Sequence, residues 1–127
     1  MPAKTNTSTP ALDGYDPVAY FTEGRPVPGS EEFLHQWGGR PWRFKSAENR
    51  DAFAANPEQY APQYDGRCAF AMSLGKDNAP AGSPRSWRIT DGKLYLALNP
   101  VAGFLMRVLP NRIAGADRHW ANYPGRT

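Results

Sequence analysis

The chain carries one thiol, Cys68, in the stretch DGRCAFAMSLG, and two imidazoles, His35 and His119. A thiolate is both a nucleophile and a soft metal ligand, and its surroundings decide which role it plays. Asp65-Gly66 forces a turn just before Cys68 and Arg67 lies beside it, a setting that suits a reactive thiol. CAFAM reads as the opening of a helix, which puts Met72 one turn beyond Cys68 on the same face. Thiolate and thioether together suit Cu(I), which accepts few ligands, and the His35 imidazole completes a site if the fold brings it close. Cys68, His35 and Met72 are therefore the candidate metal ligands, holding one ion per chain or one shared in a homodimer. The competing reading is structural. Free cysteine and methionine are common core residues, and an imidazole on an aromatic strand face is commonly a hydrogen-bonded core group.

Other catalytic patterns are absent. The sequence has no CxxC pair, HExxH, phosphate-cradling glycine loop, CxxCH or GxSxG elbow. Asp13, Asp16 and Glu23 cluster near the N-terminus, where aspartates ordinarily make local backbone bonds. No catalytic residue is assigned and a non-enzymatic protein is expected. A lone cysteine excludes an internal disulfide, and the lack of a resolving partner argues against a self-contained thiol redox cycle.

The 127 residues suffice for one domain, and 15 Lys and Arg against 12 Asp and Glu leave a net charge of +3 with the basic residues scattered. Scattered charge does not make a nucleic-acid footprint, so no nucleic-acid partner is expected. No apolar run approaches the roughly 20 residues of a membrane span, and no membrane partner is expected. The opening MPAKTNTSTP lacks the apolar centre of a secretory leader. A soluble chain follows, cytoplasmic as written and periplasmic had a leader been removed.

The elements that must position these side chains are short. Residues 1–10 read as a flexible tail and 11–127 as one domain. LDGYDPVAYF is a loop entering an apolar segment, and TEGRPVPGS is a connector. EEFLHQWGGRPWRF predicts a hairpin whose loop is Gly38-Gly39 or the four residues Gly38 to Pro41, and in either case side-chain parity puts Phe33, His35, Trp37, Trp42 and Phe44 on one face. Ser46 caps a helix over roughly 47–55 with Phe53 inward. SWRITDGKLYLAL predicts a second hairpin about Asp91-Gly92, pairing Ile89 with Leu94 and Trp87 with Leu96. Two helices follow, around Pro110, with Phe104, Leu105, Val108, Leu109, Ile113 and Trp120 available for packing. No repeat is visible. The expected class is α+β, a small single domain of β-hairpins packed against short helices.

In order, GYDPVAYF, WRFKSAENRDAFAANPEQYAPQYDGRCA, DGKLYL and ADRHW resemble the YHS-domain family over roughly residues 11–121. The arrangement is similar to its stand-alone branch of small proteins, some labelled as selenoproteins. The resemblance implies a YHS-like α+β fold, association with copper or other soft metals, and often an exported location. Members linked to metal handling show DPVCGM and FCSxxC, whereas the corresponding cysteine positions here are Ala19, Lys45 and Asn49, leaving Cys68 as the one thiol ligand. The expected function is a small non-enzymatic YHS-domain protein binding a soft metal such as Cu(I) through Cys68. The alternatives are a thiol-redox protein, or an interaction and small-ligand module with an aromatic groove. Exposure of the thiol separates them, because a buried one favours the module.

Overall fold

Two short peptides, Ala11–Gly14 and Gln63–Gly66, hold the same uncommon backbone. Leu12, Asp13 and Gly14 have φ of 57°, 52° and 83°, and Tyr64, Asp65 and Gly66 have 61°, 55° and 78°. Left-handed residues that carry a Cβ are unfavourable, so other bonds must hold them in place. In this computed structural model, which describes residues 9–109 and 111–124, those bonds are repeated pair by pair. Tyr15 N–H donates to Leu12 O and Arg67 N–H to Tyr64 O, both at 3.0 Å. Gly29 N–H donates to Gly14 O and Gly82 N–H to Gly66 O, both at 2.8 Å. Asp16 N–H reaches Val27 O and Cys68 N–H reaches Pro80 O, again both at 2.8 Å. Of the expected tail, residues 1–8 lie outside the described residues.

Each of these turns opens one of two compact units, which meet in sequence at Tyr60 and Ala61. The first unit continues with α1 (Ala19–Thr22), β1 (Ser30–Trp37), β2 (Arg40–Phe44), α2 (Ala47–Ala55) and α3 (Pro57–Tyr60). The second continues with α4 (Ala69–Ser73), β3 (Ser83–Thr90), β4 (Lys93–Ala97), α5 (Pro100–Val108) and α6 (Arg112–Ala121). The class is the expected one, a small α+β single domain, and its strands pair as two antiparallel hairpins.

Both registers follow from the turns. β1 and β2 pair Trp37 with Arg40, Gln36 with Pro41, His35 with Trp42 and Leu34 with Arg43, then shift to pair Ser30 with Phe44. β3 and β4 pair Thr90 with Lys93, Ile89 with Leu94, Arg88 with Tyr95 and Trp87 with Leu96, then shift likewise to pair Ser83 with Ala97. Positive φ at Gly38, Gly39, Asp91 and Gly92 matches the two-residue hairpin turn that fits the twist of the strands. Ser46 Oγ accepts from Asn49 N–H at 3.2 Å and Asn99 Oδ1 from Ala102 N–H at 2.9 Å, each capping a helix of 9 residues. The second unit therefore repeats the first, although the sequence shows no repeat. Asp13-Gly14 and Asp65-Gly66, Gly29 and Gly82, and Gly39 and Gly92 are shared because the backbone demands them. A Cβ on Gly29 would lie 2.5 Å from the Arg43 carbonyl carbon, and one on Gly82 would lie 2.4 Å from Leu96 Cβ.

The apolar faces of the two hairpins pack within separate units. In the first, the buried Phe53 ring has its centroid 4.9 Å from that of Trp42, 5.2 Å from Phe44 and 5.7 Å from Trp37. This is the expected face of the hairpin. In the second, Met106 holds the position of Phe53 and packs with Tyr64, Met72, Tyr95 and Tyr123, while Leu94 and Leu96 are also buried. One expectation fails on α5. Phe104, Val108 and the following Leu109 are exposed, and Ala102 and Met106 face the core instead. Apolar residues occupy both the buried and the exposed sides of this helix, so its pattern does not mark the buried one.

Tyr64 Oη donates to Asp117 Oδ1 at 2.6 Å. Burial pushes the Tyr64 phenol far above its ordinary range, with the Asp117 hydrogen bond and charge adding to it. Burial also raises Tyr95, helped by the charges of Asp117 and Asp91.

Phe53→Ala is expected to cost about 3–5 kcal/mol in urea denaturation, and Gly82→Ala about 1–3 kcal/mol through overpacking against Leu96. A loss below about 1 kcal/mol at Phe53 would contradict this core. The raised phenols keep their protons longer in the folded than in the unfolded chain. Their contribution to stability is then complete below pH about 10 and lost as the pH rises beyond it. Denaturation series at alkaline pH should show that decline, and a shallower one in Tyr64→Phe.

Candidate functional site

Cys68 is the N-terminal flanking residue of α4, and it is only 2% exposed. Its side chain packs with Ala97 and Ala102. Met72 is fully buried in the other cluster, among Tyr64, Tyr95 and Met106. Arg67, whose charge was to activate the thiol, donates to Ala79 O at 2.9 Å and lies 5.2 Å from the Tyr123 ring centroid. His35 belongs to the first unit, with its ring edge-on to Phe53 at 6.1 Å. Among the described residues no three His, Cys, Asp or Glu side chains gather to hold a metal.

The first unit shows what occupies the place equivalent to Cys68. Asp16, fully buried, accepts four hydrogen bonds. Its Oδ1 takes Val18 N–H at 2.8 Å and Ala19 N–H at 3.3 Å, and its Oδ2 takes Lys45 N–H at 2.9 Å and Asn49 Nδ2 at 2.8 Å. Ala19, Lys45 and Asn49 are the positions where the YHS resemblance puts cysteines. Here they bring N–H donors, which a cation cannot use, and they close on a carboxylate. The residues present do not fit a metal at this place. In the second unit Cys68 replaces Asp16, Leu98 replaces Lys45 and Ala102 replaces Asn49. The thiol has lost the polar neighbours together with the carboxylate. Glu23, also in the acidic cluster, is drawn below the usual carboxylate range, chiefly by the hydrogen bond from Lys45.

A different set of residues forms an open groove of about 300 Å³ beside β3 and α5. Arg85, Arg88 and Arg107 line it with Trp87 and Phe104, and Ser86, Pro100 and Gly103 complete the lining. Comparison with the first unit explains why it is open. There the positions of Ser86 and Gly103 hold Phe33 and Arg50, with the guanidinium 6.0 Å from the ring centroid. Removing both side chains leaves space. The rim has changed sign as well, since Glu32, His35 and Ala54 of the first unit become Arg85, Arg88 and Arg107.

The groove cations lack acidic neighbours. In the first unit Arg25, Arg43 and Arg50 pair with Glu23, Glu31 and Asp51 at 3.1, 3.1 and 3.3 Å. Among the described residues no Asp or Glu lines the groove and none of its arginines forms a salt bridge. Arg88 Nε donates to Thr90 Oγ1 at 3.0 Å and Arg107 lies 5.6 Å from the Phe104 ring centroid, which leaves donors of both guanidinium groups for a ligand. None of these residues stands out in the sequence as a motif. The available signal is Gly103, a glycine inside a helix, where it is less stable than alanine although a Cβ would meet nothing closer than 3.8 Å.

Set beside known proteins, the chain matches no family model, no curated protein and no solved structure. The likeness to the YHS family accordingly rests on the motifs quoted from the sequence.

Alkylation of Cys68 is expected to be slow in the folded chain and complete in denaturant, as followed by mass spectrometry. Asp16→Ala strands several buried donors and should cost about 3 kcal/mol or more, whereas Cys68→Ala should cost about 1 kcal/mol. Comparable losses at the two positions would contradict the polar and apolar roles assigned to them.

Proposed function

We propose that the chain is a non-enzymatic binding module whose second unit takes a small anionic ligand in the groove of Arg85, Arg88 and Arg107. The observation that carries this reading is the replacement of the Phe33 and Arg50 pair by Ser86 and Gly103, with three cations placed around the opened space. Like charges gathered without carboxylates repel, and an anion relieves that repulsion. The planar guanidinium fork matches phosphate and carboxylate with paired hydrogen bonds. A volume of about 300 Å³ lies at the small end of ligand sites, and Trp87 and Phe104 supply the apolar wall such sites require.

The buried thiol favours this module over the metal and redox alternatives. A Cu(I) site on Cys68 is supported by the YHS resemblance and requires the sulfur to be uncovered. The groove requires no rearrangement.

Calorimetric titration with glycerol phosphate tests the reading. Saturable binding that weakens with salt is expected, with about tenfold loss in Arg85→Gln or Arg88→Gln. Ser86→Phe restores the plug of the first unit and should abolish binding while the circular dichroism spectrum is retained. Cys68→Ser should bind as the parent does. Equal affinity in the parent and Ser86→Phe would overturn the assignment.

A further inference from the structure

We infer, building on the anion-binding reading, that the ligand of the groove is the headgroup of an anionic phospholipid, met at a membrane surface on which α5 lies. The observation is a stripe on that helix. Val101, Phe104 and Val108 are 68%, 52% and 48% exposed, and Leu109 follows at 41%. Their spacing of three and then four residues lines them along one side of the helix. The equivalent positions on α2 are Glu48, Asp51 and Ala55, so the second unit carries large apolar groups where the first carries two acids and a methyl. Exposed apolar side chains that replace acids on an otherwise repeated frame call for an apolar partner.

Charge selects which one. Phe104 belongs both to the stripe and to the groove, and Arg107 lies against its ring. Cations and an apolar stripe sharing a boundary complement a molecule with an anionic head and an apolar body. A freely soluble phosphate would leave the stripe in water, and a second copy of this helix would bring arginines against arginines. No described helix is long and apolar enough to cross a membrane, and α5 with 9 residues falls well short of the roughly 20 required. Such a helix lies in the headgroup region, with its apolar side toward the acyl chains. The expectation of no membrane partner came from the lack of a spanning run, and surface contact goes beyond it.

Co-sedimentation with phosphatidylcholine vesicles, with and without phosphatidylglycerol, tests this. Retention is expected only with the anionic lipid and at low salt. Arg85→Gln should reduce it about fivefold, the share expected of one cation near a charged surface. Val101→Ser combined with Val108→Ser should reduce it about tenfold. These valines do not line the groove, so titration with glycerol phosphate should match the parent, and their exposure keeps the fold intact by circular dichroism. Retention unchanged in the double variant, or equal on both vesicle types, would overturn the inference. Binding of glycerol phosphate without vesicle retention would overturn it and leave the anion module standing. Absence of both would overturn the two together. A concentration-dependent dimer that is lost in the double variant, with no vesicle retention, would assign the stripe to self-association instead.

Discussion

The hydrogen bond from a glycine N–H to the carbonyl of a left-handed turn holds this fold in place, and it is made twice. Gly29 to Gly14 and Gly82 to Gly66 tie each turn to the residue that enters the following hairpin. Because a Cβ at either donor would overlap the neighbouring strand, only glycine allows that approach. The tie sets where the hairpin begins, the two-residue turn sets its register, and the capping residue after the hairpin sets the helix. Each step leaves little freedom for the next.

On the repeated frame, side chains change in correlated groups. Asp16 and Asn49 form a polar pair fed by backbone N–H groups, and their counterparts Cys68 and Ala102 form an apolar one. Changing one partner alone would strand a buried donor or carboxylate, which costs far more than changing both. Cys68 is accordingly best understood as half of an exchanged pair. Phe33 with Arg50, and Ser86 with Gly103, are another such group, and this exchange opens space instead of filling it.

The groove and stripe of the second unit share one logic. Arginines without acidic neighbours, a glycine within a helix, and exposed Val101, Phe104 and Val108 all lower the stability of the isolated chain. Several such local costs gathered on one helix and its adjoining strand are expected where binding, and not packing, has shaped the residues. At the matching positions the first unit has Arg50 for Gly103 and Glu48 and Asp51 for Val101 and Phe104, and it pairs Arg43 and Arg50 with Glu31 and Asp51.

Local rules written in the sequence were enough for the α+β class, the face shared by the β1–β2 hairpin, the pairing of β3 with β4 beside their turn, and the Ser46-capped helix Ala47–Ala55, since turn chemistry, side-chain alternation and capping act over a few residues; the two-residue loop of the first hairpin and the shift in both ladders came only with the structure. The repeat escaped detection because it lies in backbone hydrogen bonds that many side chains can satisfy, leaving little beyond Asp-Gly and scattered glycines in common. Which side of α5 is buried was equally hidden, because apolar residues lie on both its buried and exposed sides and only docking against α4, β3 and β4 selects Ala102 and Met106. Cys68, Met72 and His35 have the chemistry of ligands as residue types. Their neighbours are supplied by distant parts of the chain: Ala97 and Ala102 beside Cys68, Tyr95 and Met106 beside Met72, and Phe53 beside His35. Arg85, Arg88 and Arg107 read singly as surface charges, and only the tertiary structure gathers them around one space, because a strand and a helix separated in sequence must meet before the groove exists.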